Sequence, residues 1–359
     1  MSAEVKTAIV LAGGEGTRLR PLTNTRPKPL LPVLGRPCIE YSLSSLASAR
    51  VERAFLACGY RSADIVAAIG DGRSLGIEVV YAFEEEPAGT AGAVKLLEDD
   101  IEGTTVVMSG DVLADVDIAS LIHSHREKGA VVTMAITDVS TPGEFGIVGL
   151  SEDDRIVRFK EKPAPAEVFS NLINAGIYVL EPEAVSRIPE GQKFDFSKNL
   201  FPNLLADGMP LYGSRLRGLW KDIGRSSDLL EANIRMAARR GRPVEDGGAR
   251  IVGEICASTF TAEGASLEAP LYLGEGVIVE NGSRIASSAV GRGTVVGAEA
   301  EICNSLLMDR CSVGKGCVLR GSVLGEGCRI GPGVRILESV LGDGVILEGP
   351  ASLERRTLD

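Results

Sequence analysis

The sequence contains no run of apolar residues approaching the roughly 18 that a membrane-spanning helix requires. Its opening, MSAEVKTAIV, has neither the charged start nor the long apolar core of a secretory signal, so a cytoplasmic protein is expected. Positive charge is scarce as well: 38 Lys and Arg against 49 Asp and Glu leave a formal net charge of −11. That balance argues against a nucleic-acid-binding surface and makes any basic cluster a local device for a small anion. The seven cysteines include no CxxC pair, and five of them lie beyond residue 250, so neither a disulfide framework nor a metal site is indicated. Histidine is nearly missing. His123 and His125 stand together in LIHSHREKG, where they are expected to face solvent from a helix.

What is present begins with a repeat. Steps of six, six and five residues from Leu273 land on Val279, Ile285, Val290, Val296, Ile302, Leu307, Val313, Leu319, Leu324, Ile330, Ile336, Leu341, Leu347 and Leu353, aliphatic at every landing. Glycine follows many of them, as in VGRGT, VGKGC and IGPGV. One turn of 17 residues with this period predicts a parallel β-helix, in which each coil buries its aliphatic residues against the next. Four residues after the aliphatic stand smaller fillers: Val277, Thr294, Ala300, Cys311, Cys317, Cys328, Val334 and Val345. Cys311 and Cys328, one coil apart, are expected to stack as buried small hydrophobes. The pattern resembles the left-handed β-helix of hexapeptide-repeat proteins over about residues 250 to 355.

The first two-thirds alternates β-rich runs (TAIVLA, RAFLAC, IEVVYA, TTVVMSGD, AVVTMAI, INAGIYVL) with helix-like stretches such as CIEYSLSSLASAR. Alternation of this kind predicts an α/β, Rossmann-like, mostly parallel sheet with ligands beyond the carboxyl ends of its strands. SSDLLEANIRMAARRGRP, with basic residues before Gly241 and Pro243, is expected to be a helix closing this first domain.

The most informative stretch is LAGGEGTRLRPLTNTRPKPLLPVLGRP, Leu11 to Pro37. It is neither G-x-G-x-x-G nor a loop ending in GK[ST]. Successive backbone N–H groups without side chains in the way still suit a triphosphate, with Arg18 adding charge. Lys28 sits between two prolines that restrict the backbone on both sides, so its ammonium group is held by a stiff segment. The order G-G-x-G-T-R-L-x-P-L-T followed by x-P-K-P resembles the signature of the sugar-1-phosphate nucleotidyltransferases. The resemblance continues through MSGDVLADVD, EFGIV, FKEKP, INAGIY and LWKDIG, and a β-helix after such a domain is an architecture of that family.

The resemblance implies a nucleotidyltransferase domain at 1–240 and a left-handed β-helix at 241–359. Arg18, Lys28 and Lys162 are implied as catalytic cations. Leu11, Ala12, Gly13, Gly14, Gly16, Thr17, Arg18, Glu84, Pro87, Gly89 and Thr90 are implied as the nucleotide site. Gly146, Glu161, Lys162 and Asn174 would bind the sugar phosphate, and Asp111 and Asp222 would hold Mg²⁺, which takes one or two carboxylates plus phosphates and waters. In relatives that use uracil or thymine nucleotides a glutamine stands where Glu84 maps. A carboxylate only accepts hydrogen bonds, and guanine presents two adjacent donors, so Glu84 or its neighbours Glu85 and Glu86 favour GTP. The phrase E-P-x-G-T-A-G resembles the guanylyltransferases acting on mannose 1-phosphate, although Ala88 replaces their usual leucine. Three readings follow: GTP with mannose 1-phosphate giving GDP-mannose; uridylyl or thymidylyl transfer to glucose 1-phosphate; and a non-catalytic sugar-nucleotide-sensing subunit, disfavoured because the charged residues are all present. Acyl transfer is disfavoured because no histidine lies in the coils. Every candidate site residue precedes Asn233, so the coils are expected to serve assembly into a homo-oligomer.

Overall fold

The computed structural model describes residues 5–84, 86–246, 249–256 and 258–359. The chain forms two compact units, Met1–Gly14 with Ile39–Trp220, and Glu15–Cys38 with Lys221–Asp359.

The first unit is built on a sheet of strands β1 (Thr7–Ala12), β2 (Arg53–Cys58), β3 (Glu78–Phe83), β4 (Thr105–Ser109), β5 (Val132–Asp138), β6 (Gly146–Leu150), β7 (Ile156–Glu161), β8 (Leu172–Leu180) and β9 (Leu211–Arg215). Strands β3, β2, β1 and β4 lie side by side and parallel in that order. Five of the six residues of β1 are buried, as expected of a strand covered on both faces. The strand order reverses between β1 and β4, which places a switch point at their carboxyl ends. Beyond β4 the sheet turns antiparallel: β8 pairs with β4, β5 and β6, and β7 closes the edge against β6. Tyr178, Phe196 and Phe201 pack ring to ring beneath β8, with centroids 4.9–5.5 Å apart.

His123 is exposed as expected, but His125 is buried. Its Nδ1 lies 2.9 Å from Thr133 Oγ1 and its Nε2 3.0 Å from Glu181 Oε1, which also accepts from Thr104 Oγ1 at 2.8 Å. The helix Ile118–Lys128 turns this ring toward β5, so the polar side chain is satisfied inside the unit. Burial holds the His125 pKa below its usual value, against the opposing pull of Glu181.

In the second unit the expected repeat is seen as coils. Ile285, Ile302, Leu319, Ile336 and Leu353 occupy equivalent places on successive strands, 17 residues apart. Parallel pairing through Leu307–Leu324–Leu341 and Val279–Val296–Val313–Ile330–Leu347 completes the other two faces of a left-handed β-helix. Cys311, Cys317 and Cys328 are buried, and their thiols donate to the carbonyls of Gly325, Gly331 and Gly342 in the following coil. A serine ladder runs alongside: Ser288, Ser305, Ser322 and Ser339 each accept, through Oγ, from the backbone N–H 17 residues on. It satisfies buried amides at a corner that no strand pairing reaches.

The outward positions of the three faces differ. Beside Ile285, Ile302 and Ile336 stand Arg284, Glu301 and Arg335, whereas beside Val290, Leu307 and Leu324 stand Ala289, Leu306 and Val323, all buried. The helix Ser226–Arg240 packs on this apolar face, burying Leu229, Leu230, Met236 and Ala237. The helix Ser226–Arg240 therefore lies in the second compact unit, together with Glu15–Cys38 and the coils. Among the described residues no helix is long and apolar enough to cross a membrane.

The buried histidine makes stability depend on pH in a defined direction. Below its usual pKa of about 6.5 the unfolded chain binds a proton that folded His125 resists, so stability falls as pH drops through that value. His125→Gln, which can keep one bond to Thr133 or Glu181, is expected to lower the melting temperature at pH 7.5 and to flatten its decline between pH 7.5 and 5.5. An unchanged pH dependence in the variant, measured by thermal melting, would remove His125 from the cause.

Candidate active site

The glycine-rich segment starts where β1 ends. Gly13 and Gly14 are exposed, and the chain then makes a short turn over Thr17–Leu19. Gly16 has φ 64°, and a side chain there would come within 2.8 Å of Lys28 Cβ, so both conformation and space demand glycine. Thr23 Oγ1 donates to the Gly16 carbonyl at 3.0 Å and pins the turn. Lys28 opens the turn Lys28–Leu30 between Pro27 and Pro29 and is only 6% exposed. Its Nζ lies 3.6 Å from Asp222 Oδ1. A methyl group on Gly224 would lie 3.0 Å from Asp222 Oδ2 and 3.4 Å from both terminal nitrogens of Arg18. In the second unit, therefore, the exposed Arg18, the buried Lys28 and Asp222 are gathered around one glycine.

In the first unit Asp111 follows β4. The Gly110 N–H donates to the Leu11 carbonyl at 2.8 Å, which ties the end of β4 to the end of β1 and sets Asp111 at the head of the glycine-rich segment. Glu84 follows β3, and its backbone N–H donates to the Cys58 carbonyl at 3.2 Å. Its half-buried carboxylate accepts from the Ala88 N–H, and burial pushes its pKa up against that bond. Glu86 and Pro87 are exposed, and Glu85 lies outside the described residues. Gly89, at φ 80°, would bring a side chain within 2.6 Å of the Phe194 carbonyl. Thr90 is held by Asp195, whose Oδ1 accepts from its N–H at 3.2 Å and its hydroxyl at 3.3 Å.

A second cluster in the same unit forms where β6 and β7 pair Gly146 with Glu161. A side chain at Gly146 would meet Glu161 Oε2 and the Phe159 ring, both at 2.7 Å, so glycine leaves room for the carboxylate. Burial raises the Glu161 pKa, while Lys162 and the Ser197 hydroxyl pull it down. Lys162 itself is exposed and left-handed (φ 44°), with its N–H donating to the Phe145 carbonyl at 3.0 Å. A non-glycine residue in that region carries strain of the kind found at ligand sites. Asn174 directs its amide hydrogens inward, to Tyr178 Oη at 2.9 Å and Ser197 Oγ at 3.3 Å, and its Oδ1 accepts from Gly176 N at 2.9 Å. These bonds are those of a residue that holds β8 and Ser197 in place.

Gly146, Glu161 and Asn174 are thus brought together, with Ser197 linking the last two; Glu84, Gly89 and Thr90 form a separate braced loop. Asp195 and Ser197 were not legible as site residues, whereas Phe145 and Trp220, an edge-on pair 6.1 Å apart, lie within the EFGIV and LWKDIG segments. FDFSKN carries no phosphate or metal pattern, and only packing against Gly89–Lys95 and β8 brings it here. Asp111 and Asp222 are single carboxylates with hard oxygen donors. Either carboxylate by itself suits a hard divalent ion, which completes its shell with phosphate and water oxygens.

A family profile described as nucleotidyl transferase matches residues 7–239, and one described as GMPPB C-terminal domain matches residues 267–357. A mannose-1-phosphate guanylyltransferase of Mycobacterium tuberculosis is 36% identical over 304 residues, covering 81% of this chain and 84% of its own length. A UTP–glucose-1-phosphate uridylyltransferase of Synechocystis is 32% identical over 295 residues, covering 77% and 76%. A crystal structure from Bacillus anthracis, described as a glucose-1-phosphate thymidylyltransferase in complex with sucrose, superposes with a TM-score of 0.59 at 26% identity, over 68% of this chain and 98% of that one. With the glycine-rich segment, the proline-flanked lysine and the sheet all inside the matched region, the chain belongs to the nucleotidyl transferase family.

Proposed function

We propose that this protein transfers a guanylyl group from GTP to mannose 1-phosphate, giving GDP-mannose and pyrophosphate. The observation that carries the reaction type is the buried, proline-flanked Lys28 beside Asp222 and Arg18, directly after a glycine-rich segment. The substrates are supported by relatives: besides the mycobacterial protein, a mannose-1-phosphate guanylyltransferase catalytic subunit beta of Drosophila pseudoobscura is 37% identical over 227 residues.

In the reaction a sugar-phosphate oxygen attacks the α-phosphorus in line and pyrophosphate leaves. Both reactants are anions, so fixed positive charge is the first requirement. Arg18 and Lys28 would offset the triphosphate, and the bare N–H groups of the glycine-rich segment would cradle it. Lys162 would hold the sugar phosphate, with Glu161 accepting from sugar hydroxyls and Ser197 and Asn174 keeping that carboxylate oriented. Asp111 and Asp222 would supply carboxylates to Mg²⁺, which when bound screens the phosphates and polarises the reacting phosphorus. The attacking oxygen is already ionised at neutral pH, so positioning and electrostatics suffice. Association of copies through the coils is part of the same reading, supported by Phe260 and Ile278, which stand adjacent and exposed on one face.

Glucose-1-phosphate uridylyl transfer is the second reading. It is favoured by the Synechocystis relative and by the Ala88 bond that already engages Glu84. Pyrophosphate release with GTP, UTP, dTTP, ATP and CTP against mannose and glucose 1-phosphates decides between them; a preference for UTP or dTTP with glucose 1-phosphate would replace the guanylyl reading. Glu84→Gln sharpens the test. If the carboxylate reads guanine, the loss is roughly 1–3 kcal/mol for GTP alone, and an equal loss with every nucleotide would assign Glu84 to bracing the loop. Asp111→Asn and Asp222→Asn should each lower turnover by at least about a hundredfold and weaken Mg²⁺ activation; wild-type turnover in either variant excludes that carboxylate from the metal.

A further inference from the structure

The segment that carries Arg18 and Lys28 is fastened to the far coils of the β-helix by contacts spanning 300 to 335 residues of sequence. Arg26 Nη2 donates to Glu326 Oε2 at 2.8 Å and to Asp343 Oδ2 at 2.6 Å. Thr25 Oγ1 donates to the same Asp343 oxygen at 2.5 Å, and Asn24 Nδ2 donates to Asp359 Oδ2 at 2.7 Å. Asp343 is itself fixed, because its Oδ1 accepts from the Glu326 N–H at 2.7 Å. Glu326 also pairs with Arg310. The Arg26 pairs are not loose surface pairs, since the side chains of Arg26, Glu326 and Asp343 are 20%, 22% and 16% exposed, whereas the Asn24 and Thr25 bonds lie at the surface. Pro21 adds a steric stop, since a side chain on Gly342 would reach its ring at 3.0 Å.

Two covalent and local facts carry this anchor to the site. Pro27 alone separates Arg26 from Lys28, and Pro29 follows, so the backbone has little torsional freedom with which to absorb a shift. On the other side Thr23 bonds the Gly16 carbonyl and Gly16 packs on Lys28 Cβ, which ties the turn holding Arg18 to the same anchor. We infer that Arg26 is a positioning residue for nucleotidyl transfer and that the Glu326–Asp343 pair of the β-helix is the fixed point that sets Lys28 and Arg18. The coils, which the sequence assigns to assembly alone, are on this account part of the catalytic scaffold. The inference rests on the reading of Lys28 and Arg18 as the cations that meet the triphosphate.

The test uses the full-length protein with Arg26→Ala, Arg26→Lys and Asp343→Asn. Asparagine at 343 can still accept from Glu326 N–H but turns a donor toward Arg26 and Thr25. Amide hydrogen exchange over residues 15–31 should quicken by about tenfold in Arg26→Ala and Asp343→Asn, with protection of the coils retained. The nucleotide KM should rise and kcat/KM fall by about tenfold to a hundredfold, while the KM for sugar phosphate stays near wild type, and Arg26→Lys should recover most of the loss. Unchanged exchange over 15–31 in both disruptive variants overturns the anchor. Faster exchange with unchanged kinetics, or an equal loss with Arg26→Lys, overturns the positioning role. The exchange measurement needs no substrate, so a wild type that transfers no nucleotide at all would overturn the functional reading separately from the anchor.

Discussion

The controlling constraint is electrostatic. A chain of net charge −11 must present two anions to each other, so its positive charge has to be fixed at particular atoms rather than spread over a surface. On the proposed reading Lys28 meets that need in a way a surface lysine cannot. It is buried, flanked by prolines, and balanced by Asp222 at 3.6 Å, so its ammonium group has little positional freedom. Much of the surrounding architecture makes sense as support for that placement: glycine at 16 because Lys28 leaves no room for a side chain, Thr23 closing the turn, and Asn233 receiving the Leu34 N–H at 2.8 Å to hold the segment's far end.

The sugar-side cluster of the first unit follows a different logic. Glu161 is held partly out of water, where a carboxylate is costly unless it is hydrogen-bonded, and Ser197 and Lys162 supply the compensation. Buried aromatic rings beneath β8 keep Tyr178 fixed, and Tyr178 in turn fixes Asn174. Asn174, and Ser197 with it, are therefore preorganised by the aromatic core beneath β8. The left-handed Lys162 and the glycine at 146 are places where local preference yields to the shape of the site.

What was legible in the sequence is what local periodicity and local chemistry encode. The coils followed from a 17-residue period because each turn repeats the same burial problem, and every β-rich run of the first unit is a strand. The glycine-rich segment and Lys28 could be singled out because glycine and proline act on their own backbone. His125 could not be assigned, since the helix face it occupies is buried only once β5 and Glu181 are in place. Ala289, Leu306 and Val323 point outward from the coils, and their burial comes only once the helix Ser226–Arg240 is in place.

By itself, then, the sequence determined the two architectures, the reaction family and the residues whose chemistry is carried by their own type and immediate neighbours. Tertiary structure decided the rest: that the helix Ser226–Arg240 packs with the coils, that Ser197 and Asp195 reach Asn174 and Thr90 from an unmarked segment, and that Asp343 holds Arg26 across more than 300 residues. The reason is physical. A hydrogen bond or ion pair between distant segments leaves no period and no motif in either, because its partners are set by where two independently formed elements come to rest.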